Sequence, residues 1–429
     1  MRTKVMAATL TVLALGTTAA CGGGDSGSTD SALTAKGPIE IWLSNNPEEI
    51  AWGKAMVEAW NADHPEEKVT AQEIPAGNTS EEVIGAAITA GNAPCLVFNT
   101  SPAAVPQFQK QGGLVALDNF EGGTEYVESR TGEAAEQYKS PDGNFYQIPW
   151  KSNPVMIFYN KDIMKKAGID PENPPLATYD EFLDTSRKVV SSGAAEAAIW
   201  PAPSSEFYQS WFDFMPLFAA ESGGQQLVED GKATFDSEAG SNVAEFWATM
   251  YSEGLSPQEA YPADAFGDQK SAMSVVGPWA IPVYGETVNW GVAPVPTSSG
   301  MSPEEVYTFS DAKNVGLYSA CENQGTAFDV LKFATGEEQD GQLLELTGQM
   351  PLRADLEATY PEYFAANPDH KTFADQASRT VEVPNVSNSI AIWQAFRDEY
   401  TSSVIFGKSP VADALTTAAD KATELAGQS

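Results

Sequence analysis

The order of strands and helices in the first hundred residues constrains the fold of this chain more than any other feature. Strands are predicted over 39–43, 69–74 and 95–98, and the segments between them carry apolar residues at helical spacing. This β-α-β-α-β order predicts a parallel sheet with helical crossovers, because neighbouring strands of one direction need a long connection. Ligands bind beyond the carboxyl ends of such strands. The loops there carry short polar side chains, at 44–46 and 99–101.

The composition bounds the size class of the chain and its partners. Its 429 residues correspond to about two to three domains, and a hydrophobic content of 42% is enough for a sizeable core. Asp and Glu number 59 against 24 Lys and Arg, which gives a net charge of −35. Such a surface repels polyanions, so nucleic acid and anionic lipid are excluded as partners, whereas a neutral ligand is not.

The segment 1–20 has the composition of a secretory signal peptide. A basic start, an apolar segment over 5–15 and a run of small residues lead to Cys21. This arrangement resembles a bacterial lipobox, in which the cysteine becomes the lipidated N-terminus, although Thr18 stands where Leu is usual. The alternative is ordinary secretion with a free Cys21. A lipobox predicts a protein held by lipid at the extracellular face of the bacterial cell membrane, with 21–36 as a flexible tether.

Cysteine and histidine usage limits the chemistry that the rest of the chain can perform. Cys95 and Cys321 could form a disulfide outside the cell or stay two separate buried thiols, and the residues alone leave both open. The histidines are His64 and His370, and no zinc helix, nucleophile-elbow serine or phosphate-binding glycine loop is found. We therefore predict no metal, no cofactor and no catalytic residue. No segment after the signal is apolar enough to span a bilayer.

The segment 142–168 carries the most local information. An Asp-Gly turn leads into a strand interrupted at a proline, after which Trp150 and Lys151 stand at a break between two strands. Asn160 is the predicted N-cap of the helix that follows, and Gly168 its C-terminal stop. An aromatic ring and a cation at a strand break suit the apolar face and the hydroxyl rim of a sugar. The alternative is a strand, a bend and a capped helix without a ligand.

Another predicted helix, over 205–220, is unusually rich in aromatic residues. Large apolar side chains at helical spacing favour a core position. Because several faces of this helix are aromatic, we expect at least one of them to meet a cleft, and Trp211 is the candidate for ligand contact. Further helices are predicted over 179–190, 243–251 and 412–425.

A series of motifs extends along almost the whole chain after the signal. In chain order they read IEIWLSNN, GNAPCLVFN, DGNFYQIPW, IFYNKDIMKKAGID, GDQKSAMSVVGPW, WGVAPVP, VGLYSACENQGTAFDVLKFAT and TGQMPLRADL. In content and order they resemble the family-one extracellular solute-binding proteins of ABC importers, the family of maltose-binding protein. One departure is Cys95, which stands where that family commonly has Asp.

The resemblance implies an α/β protein with the two-lobed, type II fold of periplasmic binding proteins. Each lobe is expected to be a mainly parallel sheet flanked by helices, with the ligand in a cleft that closes around it. The implied N-terminal lobe comprises 37–152 and 314–334, and the C-terminal lobe 153–313 and 335–429. The implied function is that of a monomer that captures a di- or oligosaccharide for a membrane permease, without making or breaking a bond.

The resemblance also implies which positions contact the ligand. They lie in the loops after the first and third strands, in the first crossover between lobes, in the aromatic helix, in the Gly-Pro-Trp loop and in a late helix. Tryptophan in the last two places stacks on a sugar ring in this family, because one sugar face is apolar. The implied set is Ser44, Asn46, Asn99, Trp150, Lys151, Asn153, Trp211, Trp279, Asp311, Trp393 and Arg397.

The implied fold bears on the cysteines as well. The segment that contains Cys321 would return to the first lobe and run antiparallel beside the strand that begins at Cys95. A disulfide between the two residues is therefore an expectation of the resemblance.

Two other functions remain open. A secreted carbohydrate-active enzyme would need a pair of carboxylates, which are plentiful here but cannot be paired by spacing. The same fold could bind a metal, a phosphate compound or a polyamine, but metal ligands are not clustered and a basic cleft is not expected. A polyamine suits the acidity of the chain but not the set of Trp150, Trp279 and Trp393 together with polar loops. We therefore favour a sugar, and the ten Trp residues favour several stacking subsites.

Overall fold

The computed structural model describes residues 27–76, 79–200, 209–285, 287–386 and 388–428, with the side chains of 27–30 and 209–211 excepted. The predicted signal peptide and Cys21 lie outside the described residues. Within the described part of the chain, no helix is long and apolar enough to cross a membrane.

Helices and short strands alternate along the chain. The helices are α1 Gly27–Thr34, α2 Pro47–Asp63, α3 Ser80–Ala90, α4 Val105–Lys110, α5 Gly123–Thr131, α6 Lys161–Lys166, α7 Tyr179–Ser191, α8 Gln209–Glu221, α9 Glu238–Ser252, α10 Ile281–Tyr284, α11 Gln324–Ala334, α12 Glu337–Thr347, α13 Leu356–Thr359, α14 Pro361–Ala366, α15 Pro368–Ala377, α16 Ser389–Tyr400 and α17 Val411–Ala426. The strands are β1 Ile39–Leu43, β2 Val69–Glu73, β3 Leu96–Thr100, β4 Ile148–Ser152, β5 Met156–Asn160, β6 Ala197–Ile199, β7 Val228–Glu229, β8 Lys232–Ala233, β9 Ser271–Val276, β10 Trp290–Ala293, β11 Thr308–Phe309, β12 Lys313–Leu317, β13 Met350–Pro351 and β14 Thr380–Val381.

A six-stranded mixed sheet forms the first lobe, in the order β2-β1-β3-β12-β4-β13. Strand β1 pairs in parallel with β2 and β3, which confirms the predicted β-α-β-α-β unit. Strands β12, β4 and β13 add antiparallel pairings. The prediction of a mainly parallel sheet is therefore wrong, because β12 returns from the second lobe and enters between β3 and β4 in the opposite direction.

The second lobe is built on a four-stranded sheet in the order β10-β5-β9-β6. Here too the pairing is mixed, since β5 is antiparallel to both of its neighbours and only β9 and β6 are parallel. Its largest core cluster is rich in aromatic side chains from α7, α8, α9 and α16. Phe214 and Phe218 of α8 are fully buried in it, as the spacing of the aromatic helix predicts. The expected class, a two-lobed α/β protein, is confirmed.

Helix α12 belongs to the first lobe, beyond the boundary predicted at residue 334. The indole Nε1 of Trp52 in α2 donates to the carbonyl of Gln339 at 2.9 Å. Leu343 lies in the same buried cluster as Trp52. Strand β13 then pairs with β4. The chain therefore stays with the first lobe until β13, because α12 covers part of that core.

Three connections between the lobes run side by side and hydrogen bond to one another. The Val155 N–H donates to the carbonyl of Phe309 at 2.9 Å, and the Asp311 N–H to that of Asn153 at 3.1 Å. At the third connection, the Leu352 N–H donates to the Trp150 carbonyl at 2.9 Å. Chain segments that cross together in this way form a hinge region.

The predicted N-cap and C-terminal stop of α6, the helix after β5, are confirmed. Asn160 is the N-cap of α6, and its Oδ1 accepts from the N–H groups of Asp162 and Ile163, each at 3.0 Å. Gly168 adopts a positive φ of 75° just after the helix, where a side chain would be strained. In the first lobe, the structure contains a disulfide between Cys95 and Cys321, with 4.6 Å between the Cα atoms.

Candidate functional site

A cavity of about 250 Å³ lies between the two lobes. The first lobe contributes the start of α3 and the loop after β3, the hinge contributes the residues between β11 and β12, and the second lobe contributes α8, α16 and the segment after β14. The lining residues are Ser80, Glu81, Asn99, Ser101, Pro102, Phe212, Phe309, Ser310, Asp311, Ala312, Lys313, Glu382, Val383 and Trp393.

The parallel strands of the first lobe place polar residues along one wall of this cavity. Asn99 lies at the carboxyl end of β3 with φ at 70°, so the chain turns sharply there before Ser101 and Pro102. At the start of α3, Thr79 is the N-cap, and its hydroxyl accepts from the Glu82 N–H at 3.1 Å. Strand ends and helix starts therefore present short polar groups to one edge of the sheet, as the strand order predicts.

Aromatic side chains form the opposite wall. Phe212 of α8 and Phe309 of β11 meet edge to face, with ring centroids 5.7 Å apart. Trp393 of α16 completes this wall and is only 3% exposed. Aromatic rings of this kind can pack against an apolar ligand face while the polar wall takes up hydrogen bonds.

Charged groups lie where the hinge meets the cavity. The ammonium of Lys313 is 2.5 Å from an Asp311 carboxylate oxygen. Burial favours the neutral amine, but the Asp311 carboxylate outweighs it, so the pKa of Lys313 is raised. Burial also raises the pKa of Glu382, to about 8, against the hydrogen bonds that it accepts from the Val383 N–H and the Tyr138 hydroxyl. The cavity therefore offers both hydrogen-bond acceptors and a cation.

A second cavity of about 120 Å³ lies between the lobes beside Asn46, Trp279 and Gln349. The half-buried Trp279 ring lies over Gly277, where a Cβ atom would come within 2.0 Å of it. Glycine is thus required for this ring position. Trp279 meets Phe212 edge to face at 6.1 Å between ring centroids. Since Phe212 lines the larger cavity, the aromatic pair joins the two cavities along one cleft.

Lys151 and Asn153 hold the floor of the cleft together but line neither cavity. The Lys151 ammonium is 2.5 Å from Oε1 of Glu49 and is 1% exposed. Burial lowers the pKa of Lys151 in spite of that carboxylate. Asn153 donates to Oε1 of Gln349 at 3.2 Å and to the Asp311 carbonyl at 3.3 Å. Both side chains thus have partners within the hinge, and their direct contact with a ligand stays a prediction.

Trp150 is a core residue of the first lobe. It is fully buried, and its ring centroid lies 5.1 Å from that of Trp52 and 5.3 Å from that of Phe98. All residues of β4 are buried, so the structure places Trp150 away from the cavity lining, and its contact with a ligand stays a prediction. Its role in the structure is to anchor the strand from which the chain leaves the first lobe.

The remaining predicted ligand contacts do not all line the cleft. Asn46 lines the smaller cavity and caps α2, with its Oδ1 accepting from the Glu49 N–H at 2.9 Å. Ser44 is buried, and its Oγ accepts from the Asn46 N–H. Arg397 pairs with Asp398 at 2.6 Å and lines neither cavity. Trp211 lies in α8, but its side chain is outside the described residues.

Sequence reasoning missed several lining residues. Phe212 was recognisable as aromatic, but only the packing of α8 decides that it faces the cleft rather than the core. Lys313 lies two residues after Asp311, and this close spacing could have suggested that the two side chains form an ion pair. Glu382 carries no local signal, because its position depends on the pairing of β14 with β11. Within the described ranges, no group of three or more His, Cys, Asp or Glu residues could hold a metal ion.

Known proteins share this architecture. The family model of the bacterial extracellular solute-binding proteins matches residues 44–341. The diacetylchitobiose binding protein of Streptomyces coelicolor is 26% identical over 96% of this chain and 96% of its own length. A maltooligosaccharide ABC transporter solute-binding lipoprotein of Streptococcus pneumoniae is 24% identical over 66% of this chain and 65% of its own. The crystal structure of a cyclic alpha-maltosyl-1,6-maltose binding protein from Arthrobacter globiformis superposes with a TM-score of 0.77 at 20% identity, covering 92% of this chain and all of that one.

Proposed function

Because the chain belongs to the bacterial extracellular solute-binding protein family, we propose that it is the solute receptor of an ABC importer and captures a di- or oligosaccharide between its lobes. The observation that carries this proposal is the cleft with an aromatic wall opposite a polar one. Phe212, Phe309 and Trp393 face Asn99 and Asp311 across the larger cavity. Sugars need both kinds of surface, since they have apolar ring faces and polar edges.

Two relatives support the sugar assignment by what they bind. One is named for diacetylchitobiose and the other for maltooligosaccharides. The extension of the cleft past Trp279 into the smaller cavity supports a ligand of more than one ring. Such a ligand contacts both lobes only when they are closed, and it therefore stabilises the closed state. The closed protein would then deliver its ligand to a membrane permease.

Calorimetric titration against a panel of α- and β-linked gluco-, galacto-, manno- and xylo-oligosaccharides, with chito-oligosaccharides added, tests the proposal. Saturable binding of at least one di- or oligosaccharide is expected. Flat traces for every sugar in the panel would overturn the proposed ligand class.

Trp279→Ala is expected to weaken the affinity for the sugar by about tenfold or more, because a stacking surface is lost. The melting temperature should change less than the affinity, since the ring is half-buried and packs at the edge of two core clusters rather than inside one. Titration and thermal unfolding of the same sample measure both effects. Trp290→Ala is the matched control, because Trp290 is also half-buried in the second lobe and lines neither cavity. Equal affinities of the two variants would contradict the role of Trp279.

A polyamine is the second candidate ligand, and one observation favours it. Glu81, Asp311 and Glu382 line the larger cavity with Lys313 as the only basic residue in its described lining. Titration with putrescine and spermidine separates the two ligand classes. Binding of a polyamine without binding of any sugar would favour the second candidate.

We further propose that the protein binds its solute without chemical change, rather than acting as a carbohydrate-active enzyme. The relatives named above are binding proteins. Each sugar that binds is to be incubated with the protein and analysed by mass spectrometry. Recovery of the intact sugar is expected, and hydrolysis products would overturn this proposal.

We also propose that Cys21 carries the lipid that holds a monomeric protein at the outer face of the cell membrane. The support is the sequence pattern of the signal segment, as Cys21 lies outside the described residues. Cys21→Ser should release the protein from the membrane fraction into the medium. Retention of the variant in the membrane fraction would contradict a lipid anchor at this residue.

A further inference from the structure

One group of polar contacts joins the two lobes directly at the end of the larger cavity. The Tyr138 hydroxyl donates to Oε2 of Glu382 at 2.9 Å. The Glu382 N–H donates to Oε1 of Gln137 at 3.1 Å. Asn385 donates from Nδ2 to the carbonyl of Lys139 at 2.9 Å. Asn385 Nδ2 also donates to the Tyr138 carbonyl at 3.4 Å, so four hydrogen bonds join the two short segments.

The two segments belong to different lobes. Tyr138 ends a 3₁₀ helix that follows α5, and Ala135 of the same helix lies in the first-lobe core. Glu382 follows β14, and its neighbours Val381 and Val383 lie in the second-lobe core. Tyr138 also packs against Ala312 and Leu352 of the connections between the lobes, so these bonds lie beside the hinge, and a rotation that separates the two segments would break them.

The same contacts adjoin the larger cavity. Glu382 and Val383 both line the larger cavity, so a solute bound there lies against the residue that bridges to the first lobe. We propose that Gln137, Tyr138, Lys139, Glu382 and Asn385 form an interlobe latch, in which Tyr138 positions Glu382 and thereby stabilises the closed cleft around the solute. This inference rests on the proposed function, because closure matters only to a protein that captures a ligand.

Burial makes the loss of the central bond of the latch costly. Tyr138 is 3% exposed and Glu382 is 2% exposed. The pKa of Glu382 is raised to about 8, so at lower pH the bond joins two neutral groups, and removing the hydroxyl leaves a buried carboxyl oxygen unpaired. When the cleft opens, both groups gain access to water and the advantage of the bond is lost. Loss of the Tyr138 hydroxyl should therefore act on closure rather than on the fold of either lobe.

The latch should respond to pH through Glu382. The charged and titratable groups that face its carboxyl are Asp311 and Lys313 from the hinge and Tyr138 from the first lobe, while Glu81 faces Lys313. Burial raises the Glu382 pKa from 4.5 to about 8 in this structure, in which the latch contacts are formed. A raised pKa means that closure is most favourable below about pH 4.5, where the open form is protonated too. The advantage is lost as the pH rises towards 8, because closing then takes up a proton.

Three variants test the latch. Tyr138→Phe removes only the hydroxyl, and Glu382→Gln removes the titration while it keeps an oxygen that can accept from Tyr138. Tyr261→Phe is the matched control, because its hydroxyl donates to Asp268 at the same 2.9 Å within a single lobe. Each variant is titrated between pH 5 and 8.5 with the sugar that the wild type binds, and hydrogen exchange is followed in the ligand-free protein.

Tyr138→Phe should weaken binding about tenfold at pH 5 and speed exchange of 132–139 and 380–386 without affecting β1 and β3. Wild-type affinity should fall at least tenfold from pH 5 to pH 8, whereas Glu382→Gln should remove this dependence. Wild-type behaviour of Tyr138→Phe in both measurements, or an unchanged pH profile in Glu382→Gln, would overturn the latch. If no sugar binds the wild type, the proposed function fails, and the exchange of the ligand-free variants still decides on the latch.

Discussion

Asp340→Ala should lower the free energy of unfolding by about 3–5 kcal/mol, the largest effect that we expect from a single substitution in this protein. The Asp340 carboxylate is fully buried and accepts from Arg130 at 2.8 Å and from Arg353 at 2.9 Å. Arg130 also donates to the backbone carbonyls of Trp150 and Leu352, at 3.0 and 2.8 Å. Removing Asp340 leaves a buried guanidinium without its counter-charge at the point where two chain crossings begin.

Chemical denaturation measures this loss, and an exposed ion pair gives the comparison. Glu253 accepts two bonds from Arg187 at 2.7 and 2.8 Å, but both side chains are exposed. Glu253→Ala should therefore leave the free energy of unfolding almost unchanged, because exposed ion pairs are screened by solvent. Similar unfolding free energies for the two variants would show that the buried network does not stabilise the first lobe.

Removal of the disulfide should have the second-largest effect. Cys95 and Cys321 are separated by 226 positions in the sequence, and their bond links the start of β3 to the chain just after β12. Closing so long a loop restricts the unfolded chain, so Cys95→Ser with Cys321→Ser is expected to lose about 2–5 kcal/mol of stability. Affinity for the ligand should change little, because neither cysteine lines a cavity.

Denaturation with and without reductant checks the same bond in two ways. Reductant should lower the unfolding free energy of the wild type towards that of the double variant. It should not change the unfolding free energy of the double variant. Alkylation of the oxidised wild type should label neither residue. Labelling of both thiols before reduction would contradict the disulfide.

The sequence predicted local structure correctly where residues close together in the chain determine that structure. The spacing of apolar residues gave β1, β2 and β3 with their helices, because a helix or a strand with one buried face must repeat that face. Asn160 and Gly168 were identified as the ends of α6 because capping needs particular side chains and a positive φ needs glycine. The polar loop at Asn99 followed from the order of the strands, since parallel strands bring their ends to one edge.

The composition of the cleft was decided by the tertiary structure. Trp150 was predicted to contact a ligand and is buried in the first-lobe core, whereas Phe212, which the sequence did not single out among the aromatic residues of its helix, lines the larger cavity. Both are aromatic residues in regular elements, so their chemistry is the same, and only the packing of neighbouring elements decides which face is covered. Glu382 is the clearest case, because its burial requires β14 to pair with β11 and Tyr138 to approach from the other lobe. Contacts between residues far apart in the chain leave no periodic pattern, and the sequence alone therefore determined the fold class, its caps and part of the cleft lining, but not Phe212, Lys313 or Glu382.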